Sequence, residues 1–286
     1  MRIRHFGYFC IPNHFKSNGS WVNWEKTVDQ ILFGDPKVEV NGIAVSWMPT
    51  FSNLEKAVDE GCNIFITHEA LFAAKIDDTG NIIDCPIVKD LHARWIAGKR
   101  KLEKDDIWIK KMEWLEEKNL TVIRCHDFWD SYPDIGVHGA WAKWLGYTKP
   151  PIKVDNYYEL HEIQETTLEE LCKEILEKII PLGQDSIQVI GDLDKKISRI
   201  TLGTGAASNY RDMHAFGGEA IILTDDGTLL WESGQWAKDT GIPLIIVNHS
   251  LSEEPGMRSL AKYLKKIFPD IPVLQIPVGC IFKCIY

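Results

Sequence analysis

The stretch that decides the fold runs from residue 41 to residue 70 and reads NGIAVSWMPTFSNLEKAVDEGCNIFITHEA. Its apolar runs GIAVSW (Gly42–Trp47) and NIFIT (Asn63–Thr67) are typical of buried strands, and NLEKAVDE (Asn53–Glu60) between them has a helical pattern. A strand, a helix and a second strand in this order predict a βαβ unit with parallel strands and a right-handed crossover.

The pattern continues toward the C-terminus. Apolar residues from Ile107 to Leu115 have helical spacing, and LTVIRC (Leu120–Cys125) is a third apolar run. We therefore expect residues 1–150 to form a first βαβαβ lobe. Upstream of the deciding stretch, the segment Trp21–Phe33 is predicted to be a short helix that ends before Gly34, whereas residues 1–20 show no clear period and stay unassigned.

A second lobe, residues 151–286, is expected after the linker at Pro150 and Pro151. Following a helix near residues 168–180, three apolar runs alternate with helical segments: RITL (199–202), EAIIL (219–223) and IPLIIV (242–247). A last helix is predicted from about Glu253 to Ile267, with Ser252 as its N-cap. The expected fold class is α/β, with two βαβαβ-type lobes built on mixed, mostly parallel sheets.

Composition excludes several classes of protein. The net charge of -9 argues against a general binder of nucleic-acid backbones, which needs clustered Lys and Arg. No apolar run reaches the ~18 residues of a membrane span, and the beginning of the chain does not resemble a secretion signal. The 7 cysteines include no C-x-x-C pair, so neither a disulfide framework nor a cysteine-rich zinc module is indicated. We expect a soluble cytoplasmic protein.

Side chains able to bind metal follow three predicted strands. His68 and Glu69 follow NIFIT, HDFWD (His126–Asp130) follows LTVIRC, and His249 follows IPLIIV. In open α/β sheets, ligands bind at the carboxyl ends of strands, where residues distant in sequence can meet. A metal site in the crevice between the two lobes is therefore predicted.

Each cluster also has a simpler interpretation. Glu253, four residues after His249, could grip a cation with it or could be an ordinary carboxylate in the first turn of a helix. His68 could be a hydrogen-bonded core residue, and the carboxylates of HDFWD could lie in a solvated loop rather than bridge two cations. His138 could add a nitrogen to the site. GTGAASN (203–209) could offer N–H groups to a phosphate, but a strand-to-helix turn is the favoured interpretation.

Three strings resemble the signature blocks of the Nif-three-like family (NGG-one interacting factor three), whose members are often labelled type-two GTP cyclohydrolase I. They are VEVNGIAVSWMPTFSNLEKAVDEGCNIFITHEALF, VIRCHDFWD with GVHGAWAKWLGY, and IPLIIVNHSLSEEPGMRSLAKYL. The resemblance runs from about residue 22 to the C-terminus, and the block H-x-x-x-E after a strand is its most specific part.

The resemblance implies a ring-shaped homohexamer in which each chain holds two divalent metal ions. The implied ligands are His68, Asp130, His249 and Glu253, with His126 beside the metals as a proton-handling group. Glu69 stands where the family has a second histidine, so we count Glu69 among the ligands. The expected ions are zinc, iron, manganese or magnesium, and a carboxylate in place of imidazole shifts the preference toward the harder ions.

Two functions remain open at this point. The first is a metal-dependent hydrolase that acts on a nucleotide or another phosphoester, in which two cations activate a water molecule. The second is a non-catalytic homo-oligomer that binds metal or recruits partner proteins. A ring that threads nucleic acid is disfavoured by the acidic balance of the chain.

Overall fold

The computed structural model describes residues 10–89, 105–155 and 157–285. The chain divides into two compact units. Unit 1 contains the described residues up to Trp129 together with Leu260–Pro277, and unit 2 contains Asp130–Ser259 together with the described residues from Val278 onward. The histidines His5 and His92, which carry no predicted role, lie outside the described residues.

A five-stranded sheet forms the centre of unit 1, in the order β1-β6-β3-β2-β13. Neighbours among β2, β3, β6 and β13 are parallel, and β1 is antiparallel to β6 at the edge. The bounds of the strands are Ile31–Phe33 for β1, Ile43–Ser46 for β2, Ile64–Thr67 for β3, Thr121–Arg124 for β6 and Val273–Gln275 for β13. A separate hairpin pairs β4 (Lys75–Ile76) with β5 (Ile82–Asp84).

The helices of unit 1 lie between its strands along the chain, except for α1, which precedes the first strand. In chain order they are α1 (Cys10–Asn18), α2 (Phe51–Asp59), α3 (Pro86–Lys89), α4 (Asp106–Lys118) and α5 (Asp127–Asp130), whose last residue belongs to unit 2. Thr50 caps α2 by accepting a hydrogen bond from the backbone of Asn53. The apolar faces of α2 and α4 contribute Leu54 and Leu115 to one buried core with the strands. The predicted βαβ units are therefore confirmed in this part of the chain.

Residues 21–33 do not form the predicted helix. Their last three residues form β1, which pairs with β6, and the segment before it consists of turns and bends. The physical reason is tertiary pairing, because Ile31 lies opposite Ile123 across the sheet and Leu32 is buried in the core. The unassigned N-terminal stretch contains α1, which packs Phe15 against Phe128 with ring centroids 4.7 Å apart.

Unit 2 is built on a six-stranded sheet in the order β7-β8-β10-β11-β12-β9. Its three central strands β10, β11 and β12 are parallel, and the outer strands pair antiparallel. The bounds of its strands are Lys153–Val154 for β7, Tyr158–Thr167 for β8, Gln188–Ile190 for β9, Lys196–Gly203 for β10, Ala220–Thr224 for β11 and Leu244–Val247 for β12. Both sheets are thus mixed, and the predicted α/β class is confirmed.

The helices of unit 2 are α6 (Val137–Leu145), α7 (Leu168–Ile179), α8 (Tyr210–Phe216), α9 (Leu230–Thr240) and α10 (His249–Ile267), with a 3-10 turn at Ile180–Leu182. Helices α6 and α7 cover one sheet face through Trp141, Leu171 and Ile175. Met213 of α8 and Ala237 of α9 pack on the other face. Within the described ranges, no helix is both long and apolar enough to cross a lipid bilayer.

Helix α10 begins earlier than predicted. Its first residue is His249, so Ser252 is not the N-cap, and the Ser252 hydroxyl instead donates to the carbonyl of His249 inside the first turn. Pro255 lies within this helix. The chain passes from unit 2 to unit 1 along α10, and the following strand β13 joins the sheet of unit 1. The units are therefore bounded differently from the predicted lobes 1–150 and 151–286, which stay a prediction.

Two helical glycines of unit 2 should respond in opposite ways to substitution by alanine. A Cβ at Gly256 in α10 would lie 2.9 Å from Cα of Val137, which is too close, whereas a Cβ at Gly234 in α9 would meet its nearest neighbour at 3.5 Å. We expect Gly256→Ala to lower the free energy of unfolding by about 1–3 kcal/mol through overpacking. Gly234→Ala should raise it by about 0.5–1 kcal/mol because alanine favours the helix. Urea denaturation of both variants would check this, and equal effects would contradict the packing of α6 on α10.

Candidate functional site

In unit 1, two histidines meet at the carboxyl edge of the sheet. Strands β3 and β6 are parallel neighbours with Thr67 opposite Arg124, so the residues that follow them emerge side by side. The imidazole rings of His68 and His126 are stacked, with centroids 4.4 Å apart and an angle of 16° between the planes. His68 is fully buried, while His126 is partly exposed.

Both rings are anchored through Nδ1. Nδ1 of His68 lies 3.2 Å from the carbonyl oxygen of Cys125, and Nδ1 of His126 lies 2.9 Å from Oδ1 of Asp127. These contacts place the proton on Nδ1 in the neutral ring and give Nε2 the lone pair. Metal-binding histidines commonly have this arrangement, because the anchored nitrogen fixes the tautomer and the direction of the other one.

Asp29 fixes the position of helix α5. Its Oδ1 accepts hydrogen bonds from the backbone N–H groups of His126 and Asp127, and its Oδ2 accepts one from Phe128 at 2.7 Å. Burial, reinforced by the nearby carboxylate of Asp127, raises the pKa of Asp29 to about 6. Sequence reasoning missed this residue, since the cap comes from a segment that lies 97 residues before His126.

Asp127 acts as a structural carboxylate within unit 1. Burial opposes its ionisation, but hydrogen bonds from His126 and Thr27 outweigh burial and lower the pKa of Asp127 to about 2. The Thr27 hydroxyl donates to Oδ2 of Asp127 at 2.8 Å. Asp127 therefore stays ionised at neutral pH and holds the imidazole of His126 in place.

Glu69 is paired with a buried arginine. Nη2 of Arg124 lies 3.2 Å from Oε2 of Glu69, and Nε of Arg124 donates to the carbonyl oxygen of His68 at 2.8 Å. The Arg124 side chain has no exposed surface, whereas the Glu69 side chain is 18% exposed. The guanidinium thus fixes both the backbone of His68 and the carboxylate that follows it.

In unit 2, a second group of polar side chains lies at the carboxyl ends of β10, β11 and β12. Nδ1 of His249 lies 2.7 Å from Oδ2 of Asp226, and Nε2 of His249 lies 3.1 Å from Oε1 of Glu253. His249 and Glu253 are both buried. The hydrogen bond from His249 lowers the pKa of Asp226, so the anchoring carboxylate is ionised at neutral pH. The predicted pair His249 and Glu253 is therefore in direct contact, and Asp226 was not predicted from the sequence.

Gly205 approaches this pair closely. A Cβ at this position would lie 2.9 Å from Oε1 of Glu253 and 3.4 Å from Nε2 of His249. The glycine has a φ of +67°, in the left-handed region, and belongs to the turn that joins β10 to α8. The segment 203–209 is thus the favoured strand-to-helix turn. Its glycine keeps the space in front of Nε2 of His249 and Oε1 of Glu253 open.

Asp130 and His138 are the other predicted residues of unit 2. Asp130 is the last residue of α5, and His138 is buried in α6 with Nδ1 3.1 Å from the hydroxyl of Thr204. Side chains that belong to groups able to hold a metal ion are His68, Glu69, His126, Asp130 and Glu253. Both units therefore contribute candidate metal ligands.

Known proteins resemble this chain over most of its length, and solved structures share its fold. A GTP cyclohydrolase 1 type 2 homolog from Clostridium acetobutylicum is 23% identical over 244 residues, which cover 82% of this chain and 80% of that protein. A Bacillus cereus protein related to NIF3 superposes with a TM-score of 0.73 at 12% identity, covering 99% of this chain and 100% of the other. A hypothetical protein of Staphylococcus aureus gives a TM-score of 0.69 at 20% identity, with 97% of each chain covered.

A family model supplies the assignment. The model for Duf34/NIF3 (NGG1p interacting factor 3) matches residues 91–279, which is more than half of the chain. The matched segment includes the residues of the second and third predicted signature blocks, from His126 to Glu253. The chain therefore belongs to the Duf34/NIF3 family.

Proposed function

We propose that this chain binds two divalent metal ions and is a metal-dependent hydrolase that acts on a nucleotide or another phosphoester. The proposed ligands are His68, Glu69, Asp130, His249 and Glu253. The observation that carries the proposal is the shared anchoring of His68 and His249, each of which is held at Nδ1 and directs Nε2 away from its anchor.

The donor atoms fit divalent cations. Two imidazole nitrogens with carboxylate oxygens suit zinc, iron and manganese, and a larger share of carboxylate favours manganese or magnesium. The close approach of Gly205 to Nε2 of His249 and Oε1 of Glu253 supports the fit, because any side chain there would compete for the same space. The two proposed donor atoms also lie close together, since Nε2 of His249 is 3.1 Å from Oε1 of the buried Glu253 carboxylate.

Bound metal ions would supply a water molecule of lowered pKa and would polarise a phosphoryl oxygen of the substrate. A side chain of this protein would transfer the proton. His126, held at Nδ1 by the ionised Asp127, can accept or return a proton at Nε2. The name of the clostridial relative, a GTP cyclohydrolase 1 type 2 homolog, makes GTP the first substrate to examine.

Metal content provides the direct test of the ligand set. Purified protein should contain about two ions per chain, and His249→Ala and Glu253→Gln should each lose metal, because each removes a proposed ligand. Asp226→Asn should weaken metal affinity by about 10–100-fold, since it removes the anchor of a ligand and not the ligand itself. Elemental analysis after dialysis measures all three variants.

His214→Ala is the matched control for this experiment. His214 is exposed, its Nδ1 donates to the carbonyl oxygen of Gly218 at 3.2 Å, and it lies far along the chain from the proposed ligands. It should leave the metal content unchanged. Equal metal content in the wild type, His249→Ala and Glu253→Gln would refute the ligand set. A Glu69→His variant, measured beside them, would report which ion the carboxylate selects.

Turnover separates an enzyme from a metal-binding protein. Protein loaded with Mn²⁺, Zn²⁺ or Fe²⁺ should hydrolyse GTP, a phosphodiester or a phosphomonoester, and activity should fall at least about 100-fold in His249→Ala because a ligand of the catalytic metal is lost. Release of product can be followed by chromatography. If metal binds but none of these substrates is consumed above the His249→Ala background, the hydrolase is rejected and non-catalytic metal binding remains.

We further propose that the chain works in the cytoplasm as a homohexamer. All six cysteines whose side chains the structure describes are free thiols, in keeping with a reducing compartment. Leu229, Leu230 and Trp231 are adjacent and exposed by 58%, 54% and 78%, which favours burial against another chain. Light scattering should give about six times the chain mass of 32.7 kDa, and a monomer in solution would reject the hexamer.

A further inference from the structure

Unit 2 contains a groove to which Asp130 is the one proposed metal ligand that contributes, among the described lining residues. Two adjoining cavities of about 730 Å³ and 600 Å³ share the segment Tyr147–Pro150 and the side chain of His161 as walls. The groove lies between this segment, which follows α6, and the strand β8. Volumes of several hundred Å³ are those of small-molecule sites.

A buried ionisable pair forms part of the wall. Glu159 and His161 are two residues apart on β8, so their side chains share one face of the sheet. Oε2 of Glu159 lies 2.8 Å from Nε2 of His161, and the two residues are only 8% and 4% exposed. The ring of Tyr147 is stacked on the His161 ring, with centroids 5.4 Å apart.

The pair offers hydrogen-bond acceptors to the groove. Since Nε2 of His161 bonds a carboxylate, Nε2 carries the proton in the neutral ring and Nδ1 is an acceptor. Among the described residues, the side chains of this pair hydrogen-bond to each other and to no further group, which leaves Oε1 of Glu159 and Nδ1 of His161 available. A buried carboxylate and a buried imidazole are costly to retain in a protein core unless further groups satisfy them.

The charges of the groove favour a cation. Among the described lining residues of the two cavities, seven are Asp or Glu, and two, Lys143 and Lys149, carry a positive side chain. Glu159 itself forms no ion pair with a lysine or arginine of the described chain. The groove therefore has a negative potential around a buried carboxylate.

A second buried histidine lines the same groove independently. His138 is 9% exposed and forms part of the wall of the 600 Å³ cavity. Its Nδ1 contacts the Thr204 hydroxyl, whereas its Nε2 is buried with no hydrogen-bond partner among the described residues. A buried imidazole nitrogen in a cavity wall is the kind of group that a bound ligand completes.

We propose that this groove binds a small organic cation, an amine or amidine with at least two N–H groups. One charged nitrogen of the ligand donates to Oε1 of Glu159, and a second N–H group of the same ligand donates to Nδ1 of His161, which lies on the side of the imidazole opposite the bonded carboxylate. The acidic rim neutralises the rest of the ligand's charge. Two acceptors that are separated by the width of the imidazole ring select a ligand with two N–H donors and exclude anions. The proposal does not rest on the hydrolase, although Asp130 also lines the 600 Å³ cavity.

Calorimetric titration of protein freed of metal with EDTA tests this site separately from the metal centre. The probes are putrescine and spermidine as amines and agmatine as a guanidinium compound, at constant ionic strength. At least one of them should bind saturably to the wild type. Glu159→Gln should weaken binding about tenfold or more, because a hydrogen bond to a charged group is lost, and His161→Phe should do so while it preserves the stack on Tyr147.

Glu177→Gln is the matched control, since it makes the same change of charge on an exposed face of α7 outside the groove. It should bind the probe as the wild type does. Absence of binding to the wild type, or an equal loss in Glu177→Gln and Glu159→Gln, would overturn the proposal. Should Glu159→Gln fail to fold, two exposed rim variants decide: Glu174→Gln must weaken binding and Lys149→Gln must strengthen it, and unchanged affinity in both rejects the site.

Discussion

Parallel pairing of neighbouring strands is the constraint on which both groups of polar side chains depend. In unit 1 the register of β3 on β6 brings His68 and His126 to one edge of the sheet, and in unit 2 the pairing of β11 with β12 does the same for Asp226 and His249. Side chains alternate between faces along a strand, so a register slip of one residue would direct these groups to the wrong face. The buried β-branched and aliphatic residues of these strands make such a slip costly.

In both units, the aspartates near the carboxyl ends of the strands are held by hydrogen bonds to backbone N–H groups or to imidazole rings. The Asp29 carboxylate accepts hydrogen bonds from three backbone N–H groups at the beginning of α5. This cap from a distant segment positions the helix that carries Asp127 and ends at Asp130. A buried donor left without a partner lowers the free energy of unfolding by about 1–3 kcal/mol. Loss of the Asp29 carboxylate would leave several backbone donors without this partner at the same time. The position of α5 is therefore set by a residue nearly a hundred positions away.

The strands and most helices could be predicted because their apolar patterns are local, as in Ile43–Ser46 and Ile64–Thr67, and the contact of His249 with Glu253 follows from their spacing. The predictions that failed concern features set by contacts between segments that are distant in sequence. The stretch before Gly34 has a helical pattern, but pairing of Ile31 with Ile123 makes its end a strand. The anchors Asp29 and Asp226 have no sequence signal, because an isolated aspartate in a loop looks the same whether or not a distant backbone or histidine bonds to it.

The buried Arg124 joins the backbone of His68 to the carboxylate of Glu69. Arg124 has no exposed surface, and a buried guanidinium without its carboxylate costs about 3–5 kcal/mol. Glu69 places a carboxylate beside that charge at the end of β3, which an imidazole at position 69 would not do. The pair thus adds little net charge beside His68, because the guanidinium of Arg124 compensates the Glu69 carboxylate. The electrostatic environment of His68 depends for that reason on Arg124 as much as on Glu69.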